Sequence, residues 1–284
     1  TSNLIWATSY VFYVVRQSDQ TIDYRTNTLE GDEGAYARVS NKGTNDVYEI
    51  RLMKESYELT QSINFNVQKL QNIVFTSAPG EKNTIKRGTG LTGTMFNLRS
   101  TTTSNLKNVT LTFGNIILDG NWIGESGNPG NPNGTGPILD VDYRNAYIRL
   151  GSDTECPTFQ NNYHNSTINS GNGGAISVGK TGSASGDGAV AGDQTGNSFI
   201  IYNCDIHDNK AGGQGGGVYF NDYAYYSKSG YVYVSYVERK NVSIRGGSIY
   251  ANESDKEGGV FYFGGFVSGG QNNILFIQGN VQIY

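Results

Sequence analysis

Three groups of side chains in this sequence have the chemistry to act on or hold another molecule: carboxylates, a histidine and cysteine set, and a crowd of tyrosines. Asp140 and Asp142 alternate on the short run LDVD. Asp205 and Asp208 flank His207, and Asp119 holds nearly the place of Asp208 in an earlier run. Two carboxylates about 5–9.5 Å apart are what glycoside hydrolysis needs, and an acidic cluster beside a basic group is what a calcium-dependent lyase needs. The run between Asp119 and Asp208 offers Gln160 or Asn161 at that place, which breaks the cluster. Acidic residues beside Asn and Gly are ordinary turn formers. The expectation is a non-catalytic protein, with a polysaccharide lyase or glycoside hydrolase as the alternative.

Cys156 and Cys204 fall one position apart in successive copies of a repeat described below. Strands of adjacent copies bring Cα atoms within disulfide reach of about 4.4–6.8 Å. A disulfide between them is expected if the chain matures outside the cytosol, and two free buried thiols are the alternative. His164 and His207 are not spaced as a Cys/His nucleophilic pair, nor do they complete a zinc set with these cysteines. Neither a metal nor a cofactor is expected. GNPGNPNGTG lacks the Lys-Ser/Thr ending of a phosphate loop.

Tyr223, Tyr225, Tyr226, Tyr231, Tyr233 and Tyr236 crowd into residues 221–240. Tyr231, Tyr233 and Ser235 alternate with Val232, Val234 and Tyr236, as in a hairpin arm, with Lys228-Ser229-Gly230 as its turn. Two readings stay open. The tyrosines cover the body of the protein as a two-stranded flap, or Tyr223, Tyr225, Tyr226, Tyr231 and Tyr233 form an exposed platform for a glycan or a protein partner.

The elements that must position these groups belong to a repeat. LTFGNIILDGN (Leu111–Asn121), FIIYNCDIHDN (Phe199–Asn209), VSIRGGSIYAN (Val242–Asn252) and ILFIQGNVQIY (Ile274–Tyr284) share apolar first, third and eighth places. First and third have period two, so they lie on one face of a strand. A glycine-led third strand follows in GPILDV, GGGVYF and GGVFYF, and a degenerate copy ends in GGAISV. Each strand is too short to bury a face alone, so copies must stack. At about 4.8 Å per strand, six to seven coils would make a rod roughly 30 Å long. Asn121, Asn162, Asn209 and Asn252 share one place, where stacked amides would bond in a buried ladder.

This pattern resembles the right-handed parallel β-helix. More narrowly it is similar to the GGA(I/L/V) and FxxN repeats of the polymorphic outer-membrane protein family of adhesins. GGAI is literal at Gly173–Ile176 and FxxN at Phe159–Asn162, with looser matches at Ile206–Asn209, Ile249–Asn252, Gly216–Val218 and Gly258–Val260. The resemblance covers roughly residues 70–284. It implies attachment at a cell surface.

Composition agrees with a repeat of narrow apolar stripes: 39 Gly, 36% hydrophobic and 16% charged residues in 284. A net charge of −4 with no basic stripe argues against nucleic acid. There is no run of 18 apolar residues, hence no membrane span in this segment. No signal peptide is visible, and the chain reads as a processed or trimmed piece of a longer exported one. Residues 1–60 are read as an N-terminal β-rich cap and first coil, with a helical turn near Leu52–Leu59. Residues 61–284 are read as the parallel β-helix of one continuous domain. The expected role is a secreted or cell-surface structural and adhesive protein that presents corner loops to a glycan or another surface protein. End-to-end self-association into fibres is a further alternative.

Overall fold

The structure is a computed structural model. It describes residues 9–99, 104–124, 135–143, 146–165, 168–178, 199–220, 224–229, 232–237, 241–263, 274–277 and 281–284, and omits the side chains of 168–169, 224–229, 232–237, 241–243 and 274–277.

Short alternating runs make the strands. In Val109–Phe113 the side chains of Val109, Leu111 and Phe113 are buried, while Thr110 and Thr112 are partly exposed. The next strand of the same sheet, Ala146–Leu150, repeats the pattern in parallel register: Ala146 faces Val109, Ile148 faces Leu111 and Leu150 faces Phe113. Phe199 and Ile201 then face Ile148 and Leu150. Like stacks on like because a slip of one residue would turn every apolar side chain to water.

Three sheets result, of nine, eight and six strands, and successive strands from Tyr48 onward enter them in turn. Their inner faces share one apolar core. Phe75, Phe96, Phe113 and Phe159 form its aromatic centre, with Phe113 lying 5.5 Å from each of the other three by ring centroid. Edge-to-face and offset pairs at this separation add to area burial.

The expected right-handed, three-strand-per-coil β-helix is corrected to layered sheets of mostly parallel strand order. The sheets differ in strand number. The nine-stranded sheet starts with an antiparallel edge, Thr21–Thr26 against Phe12–Arg16 and Phe12–Arg16 against Tyr48–Leu52. A fourth sheet, of two antiparallel strands, stands outside the parallel order. The solenoid description is set aside with it. Period-two spacing specifies which side chains face inward; strand direction at an edge depends on backbone pairing that this spacing does not encode.

The expected helical turn near Leu52–Leu59 is also corrected. Ser56–Leu59 is a strand. Among the described residues the α-helix is Ala35–Ser40, which buries Ala35 and Val39. No described helix is long and apolar enough to cross a membrane.

The tyrosine segment forms the antiparallel pair Ala224–Ser229 and Val232–Val237, with Tyr225 opposite Tyr236 and Lys228 opposite Tyr233. Ser229 pairs with Val232, so Lys228 and Ser229 belong to an arm rather than to the expected turn. Tyr223 and Tyr231 lie outside the described residues, as do the side chains of Tyr225, Tyr226 and Tyr233. Loops 179–197 and 264–273, and residues 125–134 of the Gly/Asn/Pro-rich insertion, lie outside them too.

Candidate functional site

The eight-stranded sheet carries both the asparagine corner and most of the polar chemistry. Its strands bend where one residue takes a left-handed conformation: Asn161 at φ 52°, Asp208 at φ 54° and Ala251 at φ 50°. Asn and Asp enter that region at little cost. The bend turns the following residue inward, and Asn162, Asn209 and Asn252 are all buried. Asn209 Nδ2 donates to Asn252 Oδ1 at 3.0 Å and to Phe159 O at 3.1 Å, and Asn209 Oδ1 accepts from Asn162 N at 3.2 Å. Asn252 Nδ2 donates to Ile206 O at 2.8 Å.

Asn121 is not part of this stack, which corrects the sequence expectation. It is itself the left-handed residue, at φ 59°, and its Nδ2 donates to Arg87 O at 3.2 Å. The corner is shifted by one residue in that strand. Arg87, only 2% exposed, fills the vacant end. Its Nη2 donates to Asn162 Oδ1 at 3.0 Å and to Gly136 O at 2.9 Å, and its Nη1 donates to Leu91 O at 3.1 Å and to Gly93 O. Burial without a carboxylate partner lowers its pKa to about 9. Gly120 makes room for this contact: a Cβ there would lie 2.4 Å from Asn162 Cβ. Sequence reasoning missed Arg87, although its signal was present. Ile85 faces inward, and two residues on, the same alternation carries Arg87 inward.

On the outward face, one column runs in register from Glu58 through Lys86, Asp119, Gln160 and His207 to Tyr250. Asp119 Oδ2 accepts from Gln160 Nε2 at 2.7 Å and from Asn161 Nδ2 at 2.9 Å, and its Oδ1 accepts from Asn121 N at 2.7 Å. His207 Nδ1 lies 2.7 Å from Asp208 Oδ2. The His207 ring stacks on Tyr250 at 4.8 Å, and Tyr250 stacks on Tyr284 at 5.5 Å. Past the corner, Trp122 lies 5.4 Å from Tyr163, with Lys210 Nζ 5.5 Å from the Tyr163 centroid. Burial, Asp208 and Asp205 raise the Tyr250 pKa, so its hydroxyl stays a donor through the neutral range.

The other carboxylates do not join this column as a catalytic pair. Asp140 is 0% exposed, lies on the six-stranded sheet and is ion-paired with Arg99 Nε; Asp142 lies 3.6 Å from Arg99 Nη1. Asp205 Oδ1 accepts from Ser248 N at 3.2 Å. His164 is buried, with Nδ1 2.9 Å from Gly173 O. Among the described residues no three His, Cys, Asp or Glu side chains are placed to hold a metal ion.

Cys156 and Cys204 are free thiols, and the expected disulfide is corrected accordingly. Thr158 pairs with Asp205, so Pro157, not Cys156, is the neighbour of Cys204. Cys204 is buried and Cys156 is half-buried, and the two thiols still lie near enough that Cys156 disfavours the Cys204 thiolate. Burial pushes the Cys156 thiol up to about 11 and the Cys204 thiol well above its ordinary value. Both stay protonated at neutral pH, and the thiolate is the nucleophile. Iodoacetamide labelling of Cys156 in the folded protein should therefore be slow at pH 7 and quicken about tenfold per pH unit toward pH 10. Mass spectrometry after timed labelling checks this, and a rate equal to that of the urea-unfolded chain would refute it.

No family model matches the chain, and neither does any curated protein or solved structure.

Proposed function

We propose that the protein is a non-catalytic, secreted or cell-surface adhesive scaffold that binds a glycan along the outward column of its eight-stranded sheet. The observation that carries this reading is the register of Lys86, Asp119, Gln160, His207 and Tyr250 on consecutive strands. Consecutive strands are spaced at about 4.8 Å, so the column offers regularly spaced donors and acceptors on a rigid support. Stacking uses up the ring faces along the column, so His207 and Tyr250 present polar edges to a sugar, with Tyr284 completing the stack. The state of the carboxylates weighs against catalysis. Asp119 already accepts three hydrogen bonds, and Asp140 is sealed against Arg99. The motif likeness to the polymorphic outer-membrane protein adhesins points the same way and implies export to a surface.

A glycan-array screen with a reducing-sugar assay on the same polysaccharides tests the proposal. Binding without product is expected, weakened at least about tenfold in Tyr284→Ala and Tyr250→Ala, in line with the loss of a stacked aromatic contact. Product formation that disappears in Asp205→Asn would replace this reading with an enzyme. No binding to any glycan would overturn it.

A further inference from the structure

The nine-stranded sheet carries a different cluster on its outer face. Arg149 lies between Ile148 and Leu150, which are both buried, so its side chain leaves on the outward side. Ile201 pairs with Leu150 and is followed by Tyr202; Ile244 pairs with Ile201 and is followed by Arg245. Three consecutive strands thus bring Arg149, Tyr202 and Arg245 together. Arg245 Cζ sits 4.8 Å above the Tyr202 ring centroid. Tyr202, Tyr147 and Arg245 are the charge neighbours of Arg149, and no carboxylate among the described residues is. The Arg149 guanidinium donates from Nη1 to Ile148 O at 2.9 Å. Its remaining donors face outward without a described acceptor. Of the acids on this face, Glu155 is turned toward Thr76, 3.4 Å from its Oγ1, and Glu49 is ion-paired with Arg51.

Half-burial and the second guanidinium both work against the charge of Arg149. In a chain with 25 acidic and 21 basic residues, two arginines side by side with no carboxylate at Arg149 is an arrangement that an anion would relieve. We infer that Arg149 and Arg245, with Tyr147 and Tyr202, form a subsite for the sulfate or carboxylate groups of an acidic polysaccharide. A guanidinium fork matches either oxyanion with two parallel hydrogen bonds. Tyrosine hydroxyls beside it suit sugar hydroxyls, and the flat strand surface suits an extended chain. The subsite is on another sheet from the His207–Tyr250 column and does not depend on it.

The test is titration calorimetry of the whole protein with a sulfated octasaccharide and with an oligogalacturonate, at low and at high salt. At least one should bind, more weakly at high salt. Arg149→Gln should weaken it about ten- to hundredfold, the span of a charge-assisted hydrogen bond. Arg149→Lys should also weaken it, because the ammonium keeps the charge but loses the fork. Lys256→Gln, at an exposed lysine outside the cluster, should leave it unchanged, which separates the subsite from the net charge of the protein. Thermal unfolding of each variant controls for folding. The inference is overturned if neither saccharide binds or if Arg149→Gln binds as tightly as the parent. It is likewise overturned if inorganic sulfate or polyglutamate binds as tightly as the saccharides.

Discussion

Gly174→Ala should destabilise the protein by more than about 4 kcal/mol, the range reserved for mutations that break a special backbone site. A Cβ at Gly174 would lie 1.9 Å from Gly216 O and 2.9 Å from Lys210 C. Both obstacles are backbone, so no side chain can swing aside. Moving the strand away would break the bonds from Gly174 N to Gly215 O at 3.0 Å and from Ala175 N to Gly217 O at 3.1 Å. The shift cannot be passed on either, since a Cβ on Gly216 would itself lie 2.2 Å from Gly259 O. Gly90 is the control. Nothing lies within 4 Å of a Cβ there and its φ is not positive, so Gly90→Ala should be neutral or slightly stabilising. Urea unfolding of the two variants measures the contrast, and midpoints that agree closely would refute the steric account.

Asn209→Ala should cost about 3 kcal/mol and lower the melting temperature on the order of 10 °C. The substitution strands the buried Asn162 N–H and removes the donor to the Phe159 and His207 carbonyls, while Asn252 Oδ1 keeps the Asn209 backbone N–H. Each such orphan costs about 1–3 kcal/mol, partly recovered by relaxation. Asn209→Asp separates shape from hydrogen bonding. Its carboxyl would point at Phe159 O and Asn252 Oδ1, which are acceptors, so the protonated form is the one the fold tolerates. The folded-state pKa of this variant is then raised above the unfolded value of about 3.9. The sign follows: stability near that of the parent below about pH 4, lost as pH rises through the folded pKa. Calorimetric melting from pH 3 to pH 7 reads this out, and a variant that melts lower at pH 3 than at pH 7, relative to the parent, would contradict it.

Legibility from sequence differed from place to place, for physical reasons. The inward set Leu111, Phe113, Ile201, Ile206, Ile244 and Ile249 could be read directly, because period-two burial is local. Asn162, Asn209 and Asn252 could be read as one place for the same reason. Asn121 misled, because its chemistry equally suits the left-handed kink it occupies. Arg87 was hidden by its charge, which usually marks a surface residue. Its five neutral acceptors come from Leu91, Gly93, Gly136, Pro137 and Asn162, which lie up to 75 positions away. The Arg149–Arg245 pair was likewise invisible, since 96 residues of chain separate two side chains that three strands bring together.

By itself the sequence determined the strands of the repeat, their inward apolar faces, the shared place of Asn162, Asn209 and Asn252 and the antiparallel tyrosine arms, because each depends on side-chain alternation within a few residues. Only the tertiary structure decided the layering of three parallel sheets with an antiparallel edge, the one-residue shift that puts Arg87 in place of Asn121, and the one-residue offset of Cys156 from Cys204. It also decided which polar side chains meet on each outer face. Those outcomes depend on register between strands dozens of residues apart, and a change of one residue in register moves a side chain from the core to the solvent.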